Sequence, residues 1–288
     1  MRYVYLLIAS LFFACQPSPA PTKPAKLLYL SNRSGNFDIF LTDHEGKEHK
    51  QLTQNLGWDW APQWNQSQGG FLYNSSDTND VFAIQLMDIE GNLMALETYG
   101  LEEFILSPDG QLALYTVSDS SFKHIYAFDT QTQTKSPLVQ HPSFNNRPKW
   151  SPSGKSFSFI SDRDGNPEIY LYEIESAEVK RLTKTSLREK YTSWGPEAEN
   201  IYFTSHNEED SHNDIFRLEL STLEISPITQ DSLFYEEIAV SPSGERIAFH
   251  AQRNEQDHIF TIGIDGSAER QITTEAAYHG EPAWVPQK

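Results

Sequence analysis

The sequence contains a single cysteine, Cys15, so disulfide bonds within the chain cannot stabilise the fold. Basic residues are also scarce: 22 Lys and Arg stand against 40 Asp and Glu, for a formal net charge of −18. Because nucleic acids and anionic lipid headgroups are negative, this charge argues against both as partners. Apolar residues make up 38% and aromatic residues 12% of the chain. Burial of these side chains must therefore stabilise the fold.

The first 14 residues predict a secretory signal peptide. Arg2 is their only charge, and the apolar run at residues 6–14, broken only by Ser10, is too short to cross a bilayer. Cys15 follows directly, so the segment resembles a bacterial lipoprotein signal with Cys15 as the lipidated residue. An ordinary cleaved signal with a chance cysteine is the alternative. Residues 15–26, which include four prolines, are predicted to form an extended tether.

These features predict an exported protein that is anchored through a lipid to a bacterial membrane. An Asp directly after the lipidated cysteine resembles an inner-membrane retention signal, and this chain has Gln16 at that position. We therefore expect the outer membrane, with the protein facing the periplasm or the cell surface.

One short phrase recurs through the rest of the chain: a bulky apolar residue, a small residue and then proline. It is clearest at residues 150–154, which read Trp-Ser-Pro-Ser-Gly, and a more eroded copy lies at residues 64–65. The first residues of the six copies, which we call the anchors, are Trp64, Leu106, Trp150, Trp194, Val240 and Trp284. They lie 42 to 46 residues apart, a regular period that predicts a repeat architecture.

Each period has the same contents. After the anchor come a turn, an apolar or alternating strand, a polar turn, a strand with an Ile-aromatic or Val-aromatic pair, and usually a short strand ending in Leu-Thr or Ile-Thr. No helical periodicity of useful length occurs after residue 26. Four short strands per period predict an all-β fold, a six-bladed β-propeller of four-stranded blades at residues 27–288.

The order of the strands predicts how the ring closes. Residues 27–31 match the second strand of a blade, so the first blade lacks an innermost strand at the N-terminus. Residues 282–285 match an innermost strand. We therefore expect the C-terminal strand to complete the N-terminal blade, which removes the free edges of an open ring.

The repeat resembles that of the TolB-like propeller family, both in Trp-Ser-Pro-Ser-Gly and in Ser-Asp-Arg-Asp-Gly-Asn-Pro-Glu-Ile-Tyr at residues 161–170. The resemblance covers residues 27–286 and implies a six-bladed propeller. In the TolB protein itself, the mouth of the central channel binds a lipoprotein called Pal. TolB also carries an α/β domain before its propeller, for which we expect no counterpart in this chain.

Propellers bind ligands at the channel mouth, through the loops that lead into the innermost strands. These loops lie three to five residues before each anchor and are polar and mainly acidic. Their aromatic residues Trp60, Tyr191 and Tyr235 are predicted to contact a ligand. The alternative is that they only solvate the fold. The candidate binding residues are Asp59, Trp60, Glu102, Glu103, Asn146, Arg147, Lys190, Tyr191, Glu236, Glu237, His279 and Glu281.

The sequence offers few residues for catalysis, and we assign neither catalytic nor metal-binding residues. A Gly-x-Ser-x-Gly elbow is missing from the sequence. Asp162, Asp164, Asn166 and Glu168 alternate as in a calcium loop, but Gly165 is misplaced for one. We expect these Asp and Asn side chains to cap a turn, with Arg163 paired to nearby acids. We expect no cofactor, and a divalent cation bound by channel carboxylates is the alternative.

Two functions of different class remain. The first is a monomeric cell-envelope binding module that docks a protein or peptide at its channel mouth. The second is a carbohydrate-active enzyme, similar to polysaccharide lyases built on propellers, with a metal-assisted site in the channel. Against the enzyme, His279 is the only imidazole among the channel candidates.

Overall fold

The computed structural model describes residues 25–79, 81–94, 104–206, 213–231 and 233–286. In these ranges every regular element is a β-strand, and 24 strands form six four-stranded antiparallel sheets. The sheets are the blades of a ring, which confirms the predicted six-bladed β-propeller. Within the same ranges, the chain has no helix with the length and apolar character needed to cross a membrane.

Each blade runs from an innermost strand at the ring axis to an outermost strand. In this order, blade 1 comprises β24 (His279–Val285), β1 (Lys26–Ser31), β2 (Asp38–Thr42) and β3 (His49–Gln51). Blade 2 comprises β4 (Asp59–Asn65), β5 (Gly70–Ser76), β6 (Phe82–Met87) and β7 (Leu93–Met94). Blade 3 comprises β8 (Ile105–Leu106), β9 (Leu112–Ser118), β10 (Lys123–Asp129) and β11 (Lys135–Val139).

The other three blades follow the same order. Blade 4 comprises β12 (Asn145–Trp150), β13 (Ser156–Ser161), β14 (Glu168–Glu173) and β15 (Val179–Arg181). Blade 5 comprises β16 (Arg188–Trp194), β17 (Asn200–His206), β18 (Asp214–Glu219) and β19 (Ile225–Pro227). Blade 6 comprises β20 (Glu236–Val240), β21 (Arg246–Arg253), β22 (Gln256–Gly263) and β23 (Arg270–Gln271).

The two ends of the folded chain meet in blade 1. β24 pairs antiparallel with β1, and Trp284 lies opposite Leu27 in this ladder. The last strand of the chain therefore supplies the innermost strand of the first blade, as the strand order predicts. This pairing satisfies backbone groups that would otherwise be exposed on two open edges.

The hydrophobic core is divided among the blade interfaces. Six apolar clusters each join two neighbouring blades. Between blades 3 and 4, for example, Leu114 and Ile125 pack with Phe157, which stacks on Tyr172 at a centroid distance of 4.9 Å. Burying a side chain such as Phe157 stabilises the fold by about 1.5–3 kcal/mol. The alternating apolar strands of the sequence thus pack sheet against sheet around the ring.

Three of the four anchor tryptophans bind the innermost strand of the preceding blade. Trp150 Nε1 donates to the carbonyl of Ile105 at 2.9 Å, and Trp284 Nε1 donates to the carbonyl of Ala239 at 2.9 Å. Trp194 makes the same bond to Lys149 at 3.0 Å. In each case the acceptor is the residue just before the preceding anchor, so the same contact links three pairs of neighbouring blades.

The closing Leu-Thr or Ile-Thr pairs have an equally specific role. Thr53 and Thr183 accept, through Oγ1, the backbone N–H of Ile39 and Ile169 at 2.9 and 2.8 Å. Thr229 and Thr273 repeat this bond in blades 5 and 6. The hydroxyl satisfies a buried N–H at the start of the third strand, which explains why this phrase recurs.

We expect W150F to destabilise the ring by about 1–2 kcal/mol, because it leaves the Ile105 carbonyl without the indole donor while an aromatic ring still fills the site. Urea unfolding monitored by circular dichroism measures this loss. W64F is the matched control, since Trp64 Nε1 bonds to the nearby Gln66. Equal losses in W150F and W64F would contradict a role for the inter-blade bond.

Candidate functional site at the channel mouth

The innermost strands of all six blades surround a cavity of about 480 Å³ on the axis of the ring. The second strands of blades 2 and 3 and the start of β10 add further lining residues. Side chains that carry its polar and aromatic character are Trp60, Gln63, Tyr115, Lys123, Asn146, Arg147, Lys149, Tyr191, Glu237 and Glu281.

A bend in the innermost strands forms this mouth. The residues three positions before the anchors, which we call the bulge residues, include Ala61, Arg147, Glu237 and Glu281, which all have left-handed φ angles of 48–53°. At each of them the ladder to the second strand shifts register. A β-bulge re-aims the side chain that it carries, and a left-handed φ is unfavourable for residues other than glycine. The surrounding sheet must therefore hold these four residues in place.

Two carboxylates stabilise adjacent bulges. Glu281 Oε2 accepts the backbone N–H of Ala61 at 2.5 Å, and Glu237 Oε2 accepts the backbone N–H of Glu281 at 2.7 Å. Each bond crosses from one blade to the next, so the acids of blades 6 and 1 are part of the structure of the mouth. Charge-assisted bonds of this type are stronger than bonds between neutral groups.

The opposite side of the mouth is basic. The guanidinium of Arg147 lies over the ring of Tyr191, 4.0 Å from its centroid. Lys149 lines the cavity beside Arg147. Its side chain is exposed to the water of the cavity but is surrounded by the protein of the ring. This burial, together with the nearby charge of Arg147, lowers the pKa of the Lys149 ammonium.

The predicted binding residues fall into four groups. The cavity brings together Trp60, Asn146, Arg147, Tyr191, Glu237 and Glu281. Lys190 and Glu236 form an ion pair with each other outside its lining. Asp59 and His279 are fully buried away from it. Glu102 and Glu103 lie outside the described residues.

The buried pair corrects the sequence prediction for a physical reason. Asp59 and His279 lie five positions before their anchors, where the side chain enters the contact with the preceding blade instead of the channel. His279 stacks on His258 of blade 6 at a centroid distance of 5.6 Å, and burial lowers the pKa of His279 to about 4. Burial likewise raises the pKa of Asp59. Tyr235 occupies the same position in blade 6 and is also fully buried.

Glu189 is the equivalent residue of blade 5 and is 3% exposed. Burial, together with the nearby charge of Glu168, raises the pKa of Glu189 to about 8. Its Oε1 accepts a bond from Thr185 at 2.9 Å. The native protein therefore holds Glu189 protonated at neutral pH.

Sequence reasoning missed Lys149, Lys123 and Tyr115. Lys149 directly precedes the anchor Trp150, and Gln63 and Ile105, in the same position of other blades, also line the cavity. The position directly before an anchor therefore indicates a cavity-lining residue in three blades, and this pattern identifies Lys149 from the sequence. Lys123 and Tyr115 come from other strands of blade 3, and only the assembled ring brings them to the axis.

The loop at residues 162–168 forms ion pairs within blade 4. Arg181 lies 3.1 Å from Asp164 and 2.8 Å from Glu168. The charge of Arg163 interacts with that of the neighbouring Asp164, but its guanidinium lies over the ring of Tyr170, 4.6 Å from the centroid, and donates to Asn145 at 2.8 Å. Across the described ranges, no three His, Cys, Asp or Glu side chains are placed to hold a metal ion.

Comparison with known proteins supports the architecture. A family model described as the TolB beta propeller domain matches residues 103–288. The Tol-Pal system protein TolB of Helicobacter pylori is 25% identical over 150 residues, which cover 50% of this chain and 36% of the relative. This chain spans between 16% and 50% of the length of the curated relatives compared with it.

Two solved structures are similar in fold. TolB from Acinetobacter baumannii has a TM-score of 0.76 at 22% identity, covering 91% of this chain and 67% of that one. Oligogalacturonate lyase from Vibrio parahaemolyticus has a TM-score of 0.55 at 12% identity, covering 85% and 73%. At such identities each likeness concerns the fold alone.

We expect E189Q to remove a pH-dependent loss of stability. Native Glu189 keeps its proton up to about pH 8, whereas the unfolded chain loses it near pH 4.5. The native state binds more protons between these values, so the wild type loses stability as the pH rises through them. In urea unfolding, the loss from pH 5 to pH 8 should be about 1–3 kcal/mol larger for the wild type than for E189Q.

The control is E178Q, which changes an exposed glutamate of the neighbouring blade 4. It should lose as much stability as the wild type between these two pH values. Equal losses in the wild type and E189Q would contradict the buried, protonated state of Glu189.

Proposed function

This chain belongs to the TolB β-propeller domain family, and from this we propose that it is a binding module of the cell envelope that docks a protein or peptide at its channel mouth. The observation that carries the proposal is the open cavity of about 480 Å³ on the axis of the ring. A cavity of this size accommodates a few side chains of a partner.

The lining suits recognition of a polypeptide. Trp60 and Tyr191 offer aromatic surface, which is enriched in the energetic centres of protein interfaces. Arg147, Glu237 and Glu281 add charged groups of both signs. All five side chains come from innermost strands, so binding requires little ordering of the site.

The relatives favour an envelope location. The Helicobacter pylori relative is named as a Tol-Pal system protein. We propose that this chain is also exported, through residues 1–14, and held by a lipid on Cys15 through the tether at residues 15–26. The signal, Cys15 and nearly all of the tether lie outside the described residues. We further propose that the anchoring membrane is the outer membrane, that the propeller faces the periplasm or the cell surface, and that the protein is a monomer.

The docking proposal predicts that a W60A/R147A/E237A triple variant loses its envelope partner. Membrane extracts passed over the immobilised full chain, wild type or variant, reveal captured proteins by mass spectrometry. A partner held by the wild type should be lost from the variant, because the aromatic and charged contacts at the mouth are removed together. Melting curves verify that the variant is folded.

The matched control is E178A/V179A/K180A, which removes one acid, one apolar residue and one base from an exposed edge of blade 4. It should retain the partner. Capture that is equal for all three proteins would contradict docking at the mouth. No partner at all, with a metal ion on the purified chain and cleavage of oligogalacturonate, would favour the carbohydrate-active alternative.

The lipid proposal predicts that C15S releases the protein from membranes. The wild type should remain in the membrane fraction after a high-salt wash and carry an acyl mass on Cys15. C15S should move to the soluble fraction, because the side chain that carries the lipid is lost. A variant that stays in the washed membranes would contradict a lipid anchor at this residue.

A further inference from the structure

The charges of the channel mouth are separated across the ring. Lys123, Arg147 and Lys149 belong to blades 3 and 4, whereas Glu237 and Glu281 belong to blades 6 and 1. In a ring of six, these two pairs of blades face each other across the axis. The net charge of −18 therefore does not describe the field inside the cavity.

The two sides differ in what their charges already bind. Glu237 and Glu281 each accept a backbone N–H from the neighbouring blade. Among the described residues, by contrast, no carboxylate forms an ion pair with Arg147 or Lys149. The acidic side is engaged in holding the bulges, while within the described part of the chain Arg147 and Lys149 have no carboxylate in an ion pair with them.

The geometry of Arg147 suits a carboxylate. Its guanidinium lies over the ring of Tyr191, 4.0 Å from the centroid. A guanidinium carries its N–H donors at its edge, where they match the two oxygens of a carboxylate. Burial and the charge of Arg147 disfavour the charged form of Lys149 and lower its pKa, although Glu281 and Glu237 partly oppose them. An anion bound between Arg147 and Lys149 would stabilise both cations.

We propose that the channel mouth recognises an acidic segment of its polypeptide partner and binds a carboxylate of that segment between Arg147 and Lys149. This inference rests on the proposed function, because it assumes that a polypeptide enters the mouth. The carboxylate comes either from an Asp or Glu side chain or from the C-terminus of the partner, and Trp60 and Tyr191 supply apolar surface for the flanking residues.

Selection from a phage library of random 12-residue peptides on the immobilised full chain tests this inference. The selected peptides should be enriched in Asp and Glu relative to the starting library. Synthetic copies, each made with a free and with an amidated C-terminus, are then titrated by fluorescence anisotropy. Replacing their acids with amides identifies a side-chain carboxylate, and a loss on amidation identifies a terminal one.

The variant R147Q/K149M should bind these peptides about tenfold or more weakly, since charge-assisted bonds are lost. The variant K155M/K180M removes the same charge from exposed positions of blade 4 and should bind like the wild type. Binding to the wild type should also weaken as the salt concentration rises.

The outcomes separate this inference from the proposed function. Peptides that bind the mouth without enrichment in acids, or equally well to R147Q/K149M, would overturn the carboxylate site and leave the docking module intact. If no peptide is selected, both proposals fail. Oligogalacturonate binding that depends on Arg147 and Lys149, without any selected peptide, would assign these cations to a sugar acid instead.

Discussion

The ring depends on contacts between the innermost strands of successive blades. Trp150, Trp194 and Trp284 each donate an indole N–H to the backbone carbonyl of the residue before the preceding anchor. The same contact therefore joins innermost strands at three places around the axis. The apolar clusters supply most of the free energy of folding, but they are tolerant of small shifts between sheets. A hydrogen bond is directional and weakens when its geometry shifts, so these bonds fix the strands that surround the channel.

The structure of the mouth follows from these fixed strands. Each innermost strand with a bulge residue bends three residues before its anchor, and the left-handed conformations of Arg147, Glu237 and Glu281 persist because the ladders on either side hold them. Glu281 and Glu237 then use their carboxylates to bind neighbouring backbone groups. The stability of the ring and the charge of its cavity are therefore coupled: forming the bulges engages acids and leaves bases facing the axis.

The sequence predicted the fold far better than the site, and the bulge explains the difference. A period of about 44 residues, the anchor phrase and the matching strand ends were sufficient for the six blades and their closure. A bulge interrupts the alternation of a strand, so the side that a residue faces can no longer be counted from the anchor. Glycine would have marked such a position, but Ala61, Arg147 and Glu281 stand there instead. The choice of residues three to five positions before the anchor therefore included the buried His279, and it missed Lys149 because Lys149 stands next to its anchor.

A propeller repeats its structure, so residues that carry its fold should recur and residues that carry its function need not. The inter-blade indoles and the Thr bonds at the third strands do recur. At the bulges, the backbone conformation recurs while the side chains differ, with Ala61 and Arg147 in two blades and Glu237 and Glu281 in two others. Fold stability accounts for Glu237 and Glu281, whose carboxylates accept backbone N–H groups of neighbouring blades, but among the described residues no hydrogen bond gives Arg147 such a role. The bulge positions of the mouth thus depart from the repeat in their side chains, and the division of the mouth into an acidic and a basic side follows from that departure.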